Sequence, residues 1–173
     1  MRYHKYHGIV LKKTPVKEAD FFLTILTPDT GKICLYARGI RSLVSKRRAS
    51  LDYFSEISFE AIEKGGRQTL LSVELINSFR PAKNTLYNIS RLFQIGELVD
   101  ELVPEGETAR EVYELLHKAL SNLERFATPN YLIRFKRKLL SLLGYGEETI
   151  SDSNLDTYIE SLLEHPLRAK ITL

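Results

Sequence analysis

The sequence predicts an α+β chain: a small five-stranded antiparallel barrel or sandwich over residues 1–80, then an all-α half over residues 81–173. Three observations carry this. The apolar period is two before residue 80 and helical after it. Turn residues cut the first half into five short runs. The composition, 43% hydrophobic and 27% charged over 173 residues, is that of a globular chain long enough to bury a core.

The first run, HGIVLKKTP, carries Ile9 and Leu11 two apart, and a polar break follows at Lys17, Glu18 and Asp20. FFLTILTPDTG is β-branched and aromatic, and it ends in the turn Pro28-Asp29-Thr30-Gly31. KICLYARG sets Ile33, Leu35 and Ala37 on one face and Cys34 and Tyr36 on the other. LDYFSEISFEAIEKGGR alternates through Ile57, Phe59 and Ala61 and closes on the hairpin turn Gly65-Gly66. TLLSVELINSF supplies the fifth strand, with Leu71, Val73 and Leu75 expected on one face.

FRPAKN, residues 79–84, is the expected joint between the halves. Beyond it, NTLYNISRLFQIGELVDELVPEG places Leu86, Ile89, Phe93, Leu98 and Leu102 at helical spacings, and Pro104 and Gly106 stop it. Thr108 with Glu111 three residues on reads as a capping box for AREVYELLHKALSNLERFA. Its stripe is Val112, Leu115, Leu116, Leu120 and Leu123. Thr128 before Pro129 suits an N-cap with proline at N1 for NYLIRFKRKLLSLLGYG, which stops at Gly144 and Gly146. EETISDSN reads as a loop, LDTYIESLLEH as a last short helix, and HPLRAKITL as a tail.

Several function classes drop out. Cys34 stands alone, so no disulfide forms within the chain, and His4, His7, His117 and His165 show no zinc-ligand spacing. The apolar runs fall far short of the ~20 residues that span a bilayer. MRYHKYHGIV lacks a secretory apolar core, so a reducing cytoplasmic setting is expected. No GxxxxGK[ST], GxGxxG or GxSxG is present, so neither an enzyme nor a cofactor is expected. Glu18 and Asp20 read as a solvated turn, and Glu97 and Glu101 as a solvent face.

What remains is charge. Residues 1–80 hold 14 Lys/Arg against 8 Asp/Glu, whereas residues 81–173 hold 11 against 14. Such asymmetry points to a polyanion at the first half. The stretch RGIRSLVSKRR, residues 38–48, concentrates it between the third and fourth strands. An oligonucleotide-binding barrel is a five-stranded closed sheet that binds through one face and its loops, cations following phosphates and rings stacking on bases. Lys12, Lys13, Lys32, Arg38, Arg41, Lys46, Arg47 and Arg48 supply cations, and Tyr36, Tyr53 and Phe54 lie near them. A solvated basic surface, an anionic-lipid contact or an acidic-protein contact remain open, and Tyr36 and Phe54 serve equally well as core.

Three stretches give the chain a family resemblance. GIVLKKTPVKEADFFLTILTPDTGKICLYARGIR (residues 8–41), RFKRKLLSLLGYG (residues 134–146) and HPLRAKITL at the end together resemble the RecO family of bacterial recombination mediators. One departure stands out. Many relatives carry a four-cysteine zinc module after the Leu-Gly-Tyr motif, and here only EETISDSNLDTYIESL separates that motif from the tail. The expectation is therefore a short form without the module.

The resemblance implies an N-terminal OB-fold domain, residues 1–80, and a helical domain, residues 81–173. It implies DNA binding, single-strand annealing, and help in loading the recombinase RecA on strands coated by single-strand-binding protein. The setting implied is the nucleoid. Expected partners are DNA, single-stranded with double-stranded left open, RecR, and the acidic tail of the single-strand-binding protein. The DNA-contacting residues expected are Lys32, Arg38, Arg41, Lys46, Arg47 and Arg48. For the tail, the resemblance points to Arg134, with Lys138 and Leu139 at helical spacing from it and Lys136 and Arg137 on the same helix. The alternative is a protein adaptor between RecR and single-strand-binding protein with little DNA affinity.

Overall fold

The computed structural model describes residues 2–16, 19–39, 50–126, 128–146 and 149–169, and for residues 124–126 the backbone alone. Two compact units emerge: Met1–Phe79 with Pro104–Tyr113, and Arg80–Val103 with Glu114–Leu173.

The first unit is built on β1 (Arg2–Pro15), β2 (Phe21–Thr27), β3 (Gly31–Ala37), β4 (Glu56–Lys64) and β5 (Arg67–Asn77). They close into a barrel in the order β1-β2-β3-β5-β4. All ladders are antiparallel except the closing β3–β5 seam, a parallel pairing at Tyr36↔Thr69. Inside lie Val10, Leu23, Ile25, Ile33, Leu35, Ala37, Leu51, Ile57, Phe59 and Ala61. The alternation expected for β3 and β4 is present. The β4–β5 hairpin turns on Gly65 and Gly66, whose φ angles of 59° and 76° suit a tight turn of the primed type.

β1 and β5 depart from simple alternation at bulges. In β1 the register slips between Val10 and Lys12, so Ile9, Val10 and Leu11 are all buried in sequence. In β5 the slip opposite Glu60/Ala61 leaves Leu71 without a partner residue. Leu70 and Val73 then pack on the core, whereas Leu71 and Leu75 are exposed. The single apolar face expected for Leu71, Val73 and Leu75 does not form.

Pro104–Tyr113 belongs to the strand unit. Lys32 bridges to Glu105, and Gly106 N donates to Lys32 O at 3.2 Å. Arg110 pairs with Asp29, and the Thr108 hydroxyl donates to Asp29 O at 3.1 Å. That bond takes the hydroxyl away from the expected capping box, and the helix starts two residues later, at Arg110.

The second unit contains α1 (Leu86–Leu102), most of α2 (Arg110–Phe126), α3 (Pro129–Leu142) and α4 (Leu155–Leu163), with short 3-10 turns at Arg80–Lys83 and Asp152–Asn154. Thr85 caps α1, accepting from Asn88 N at 3.1 Å. The buried stripe of α1 is Asn88, Leu92, Ile95 and Val99, with Leu98 beside it. Leu86, 82% exposed, and Phe93, 42% exposed, lie off it, contrary to the sequence reading. The polar Asn88 in a core-facing position hid the true stripe. The α2 stripe is buried at Val112, Leu116, Leu120 and Leu123. Thr128 caps α3 with Pro129 in its first turn. Leu132, Phe135, Leu139 and Leu140 of α3 are buried, as are Leu155 and Ile159 of α4.

The acidic pair of α1 is not a solvent face. The Glu97 carboxylate accepts from Arg168 N at 2.7 Å and Ala169 N at 2.8 Å, and Glu101 stands 3.4 Å from His165 Nε2. These carboxylates hold the segment that follows α4.

Candidate nucleic-acid interface

Strand register decides which side chains the barrel shows to solvent. On β2 and β3, Leu23, Ile25, Ile33, Leu35 and Ala37 fill the core, so Phe22, Thr24, Lys32, Cys34 and Tyr36 point outward. Thr24 pairs with Cys34 on one side and Lys12 on the other; Phe22 pairs with Tyr36 and Thr14. One outer face thus carries two rows, Lys12–Thr24–Cys34 and Thr14–Phe22–Tyr36. Tyr36 also meets Thr69 of β5, two residues from Arg67.

The rings of Phe22 and Tyr36 lie 5.5 Å apart, tilted by 58°. The Tyr36 hydroxyl donates to Asp20, whose other oxygen accepts from Gly39 N at 2.8 Å. Asp20 is therefore not simply solvated: it ties the entry of β2 to the exit of β3. Glu18 lies outside the described residues. The Asp20 bond, then burial, raises the Tyr36 pKa above the ordinary tyrosine value; Arg38 and Arg67 pull it down, so both cations act on this face.

Of the expected DNA contacts, Arg38 is exposed where β3 ends on this face. Lys32 is half-buried six residues away, roughly 20 Å along an extended chain, at the end bridged to Glu105. Arg41, Lys46, Arg47 and Arg48 lie outside the described residues. Lys13 sits 4.6 Å over the Tyr53 ring and 3.7 Å from Asp52. Phe54 is core, 2% exposed. Sequence reasoning missed Phe22 and Arg67. The signal for Phe22 was available, since an aromatic pair at FF puts one ring on each side of a strand.

In the helical unit, the four bases of α3 divide. Lys136 pairs with Asp156, and Arg137 binds Asp152 and donates to Ile150 O at 2.6 Å. Arg134 and Lys138 are exposed and have no ion-pair partner among the described residues. Leu139 is fully buried, so it gives them no apolar surface, contrary to the sequence reading. An open cavity of about 270 Å³ lies nearby, lined by Arg137, Leu140, Ser141, Gly146, Ile150, Leu155 and Tyr158. Arg134, Lys138 and Ser141 follow one side of α3 at spacings of four and three.

No group of three His, Cys, Asp or Glu side chains among the described residues could hold a metal ion. No helix among them is long and apolar enough to cross a membrane.

Five strands closed in this order, followed by helices, define the class: an oligonucleotide-binding-type barrel joined to a helical unit. Comparison with known families agrees. Residues 1–79 match the family model "Recombination protein O N terminal", and residues 84–159 match "Recombination protein O C terminal". The chain belongs to the RecO family. Relatives named DNA repair protein RecO include that of Symbiobacterium thermophilum, 31% identical over 150 residues, covering 84% of this chain and 58% of the relative. The protein of Halalkalibacterium halodurans is 28% identical over 147 residues, with the same two coverages of 84% and 58%. That of Dehalococcoides mccartyi is 28% identical over 167 residues, 93% of this chain and 64% of the relative. The chain thus spans under two thirds of the length of these relatives.

Proposed function

We propose that this chain acts in DNA repair and recombination as a non-enzymatic mediator, working in the cytoplasm at the nucleoid. The barrel binds single-stranded DNA and supports annealing of complementary strands, and the helical unit engages the protein that coats them so that recombinase can load. The observation that carries this reading is the outer face of β1, β2 and β3, where Lys12, Arg38 and Arg67 surround two outward rings. Arg38, the first residue of the basic stretch 38–48, is exposed where β3 ends on that face. Cations there can follow phosphates without being buried, which fits counterion-releasing, sequence-independent binding.

The test uses the chain's single cysteine, Cys34, which is exposed on the same face. Anisotropy of a labelled single-stranded oligonucleotide should show binding that weakens steeply with salt. Replacing Arg41, Lys46, Arg47 and Arg48 by Glu should lower the log–log salt slope by roughly one per lost phosphate contact. Saturating oligonucleotide should slow alkylation of Cys34. Undiminished binding by the loop variant at low salt would remove the loop from the site. Unchanged alkylation would move the DNA to another face.

A second reading, the adaptor between RecR and single-strand-binding protein, is supported by α3. Arg134 and Lys138 offer unpaired cations on the side of the helix that continues to Ser141 at the cavity. An acidic tail with an apolar end suits such a run of cations leading to a pocket that Leu140, Ile150 and Leu155 line in part. Arg134→Ala should weaken binding of an acidic tail peptide about 5-fold or more and spare naked-DNA binding. Equal peptide affinity would discard Arg134. Flat DNA titrations alongside firm RecR binding would favour the adaptor.

A further inference from the structure

We propose that residues 170–173 dock along one face of α1, with Ile171 on Phe93 and Leu173 toward Leu86, so that the chain itself covers this apolar face of the helical unit. The inference does not depend on the DNA-binding reading above.

Helix periodicity places the face. At about 100° per residue, Leu86, Phe93, Glu97 and Glu101 fall within roughly 80° of one another on one side of α1. The buried stripe, Asn88, Leu92, Ile95 and Val99, lies on the opposite side. Leu86 and Phe93 are therefore not needed for the core, and both are exposed. The face is acidic toward the C-terminal end of α1 and apolar toward its N-terminal end. Large apolar side chains aligned on an exposed helix face mark a surface that something covers.

The occupant follows from the segment already lying on the acidic part. Glu164, with φ of 61°, ends α4 in a left-handed cap and turns the chain. His165 then stands at Glu101. The amides of Arg168 and Ala169 donate to Glu97, one turn nearer the N-terminus of α1. The Leu167 amide donates to Glu160 at 2.9 Å, so three consecutive amides are held by carboxylates. The segment thus runs antiparallel to α1, and at Ala169 it heads toward Phe93.

Reach and pattern agree with that heading. Residues 170–173 lie outside the described residues. Along the axis of α1, Phe93 is about 6 Å from Glu97 and Leu86 about 16 Å. Four extended residues span up to about 14 Å, enough to pass Phe93 and bring a leucine side chain to Leu86. Ile171 and Leu173 are two apart, so an extended chain turns both to the same side. Charge is matched as well: the segment brings His165, Arg168 and Lys170 to the acidic part of the face and its two apolar residues to the apolar part.

Disulfide trapping in the full chain tests the placement. Cys34→Ser removes the single native thiol. On that background, Phe93→Cys with Ile171→Cys should close an intramolecular disulfide about 10-fold faster than Arg91→Cys with Ile171→Cys. Arg91 is two residues from Phe93 and on roughly the opposite side of the helix, where the two Cβ vectors diverge. Equal rates for the two pairs would overturn the docking. Disulfide-linked dimers in place of the intramolecular bond would give the face to a second copy and overturn it too. Melting of Phe93→Ser, Ile171→Ser and the double variant is the second measurement. If the two side chains touch, the double variant should melt no lower than the worse single variant; strictly additive shifts would overturn the contact. Weaker binding of an acidic tail peptide by Phe93→Ser, with Ile171→Ser neutral in every assay, would assign the face to a partner and not to this segment.

Discussion

Tyr113 shows how one hydroxyl can tie distant stretches of sequence together. Its ring is 7% exposed, its hydroxyl donates to Glu56 at 2.6 Å, and His7 meets the ring edge-on at 5.7 Å. Burial first, and then the Glu56 bond, drives its pKa well above the ordinary tyrosine value. The folded chain therefore keeps this proton at pH values where the unfolded chain releases it, near pH 10. The stabilisation is complete below about pH 10 and is lost as pH rises toward the folded value. Tyr113→Phe should cost about 1 kcal/mol at neutral pH, and the gap to wild type should narrow above about pH 10. Urea unfolding over a pH series measures both; a gap constant into strong alkali would mean that the hydroxyl contributes no proton linkage. None of this was legible in the sequence, where Tyr113 is one aromatic residue inside a helical stripe. The same holds for Asp20, since a carboxylate near a turn looks solvated until the fold brings Tyr36 and Gly39 to it. Arg38 and Lys32 could be named from charge alone, but the six residues between them, which put them at opposite ends of a strand, become meaningful only once the strand is placed.

Elements were readable where periodicity and turn chemistry act locally. The β2–β3 turn, the Gly65-Gly66 hairpin, and the Thr128-Pro129 helix start all follow from residues adjacent in sequence. Reading failed where a partner across the fold sets the answer. The bulges at Leu11 and Leu71 shift side-chain parity, and Glu97 finds its partners 71 and 72 residues later. The attachment of Pro104–Tyr113 to the strand unit is of this kind, and Gly31 is its most demanding point. Gly31 has φ of +74°, and a Cβ there would stand 1.7 Å from Glu107 O, inside bonded-contact range. Gly66 has a similar φ of +76° with nothing within 4 Å of the same added atom. Gly66→Ala should therefore cost only the backbone strain, about 1 kcal/mol, whereas Gly31→Ala should lose roughly 3 kcal/mol or more because residues 105–107 must move. Thermal melts of the two variants decide it: equal shifts would show that Glu107 yields at no cost. In the helical unit, Leu139→Ala removes a fully buried side chain and should cost about 2–5 kcal/mol, in keeping with its place in the core and not in a peptide groove.

At the scale of the whole chain, the charge asymmetry and the two units divide the molecule in nearly the same way. Net charge is +6 over residues 1–80 and −3 over residues 81–173. The proposed DNA contacts Lys12, Phe22, Tyr36, Arg38 and Arg67 all belong to the strand unit, and Arg134, Lys138 and the cavity residues all belong to the helical unit. No residue is shared between the two proposed sites. Two ligands that use different residues influence each other only through a conformational state that both prefer, or through long-range charge. An acidic peptide and an oligonucleotide are both anions, so direct competition for one basic surface is the rival outcome. The division of labour predicts otherwise. The affinity of an acidic tail peptide should change by less than about 2-fold when the protein is saturated with single-stranded DNA at moderate salt, and DNA affinity should be equally indifferent to the peptide. Strict mutual displacement would show that both anions use one surface, and the assignment of DNA to the barrel and peptide to α3 would fall. Simultaneous binding is what the proposed mediator role requires, because in that role a strand is held while the protein that coats it is still engaged.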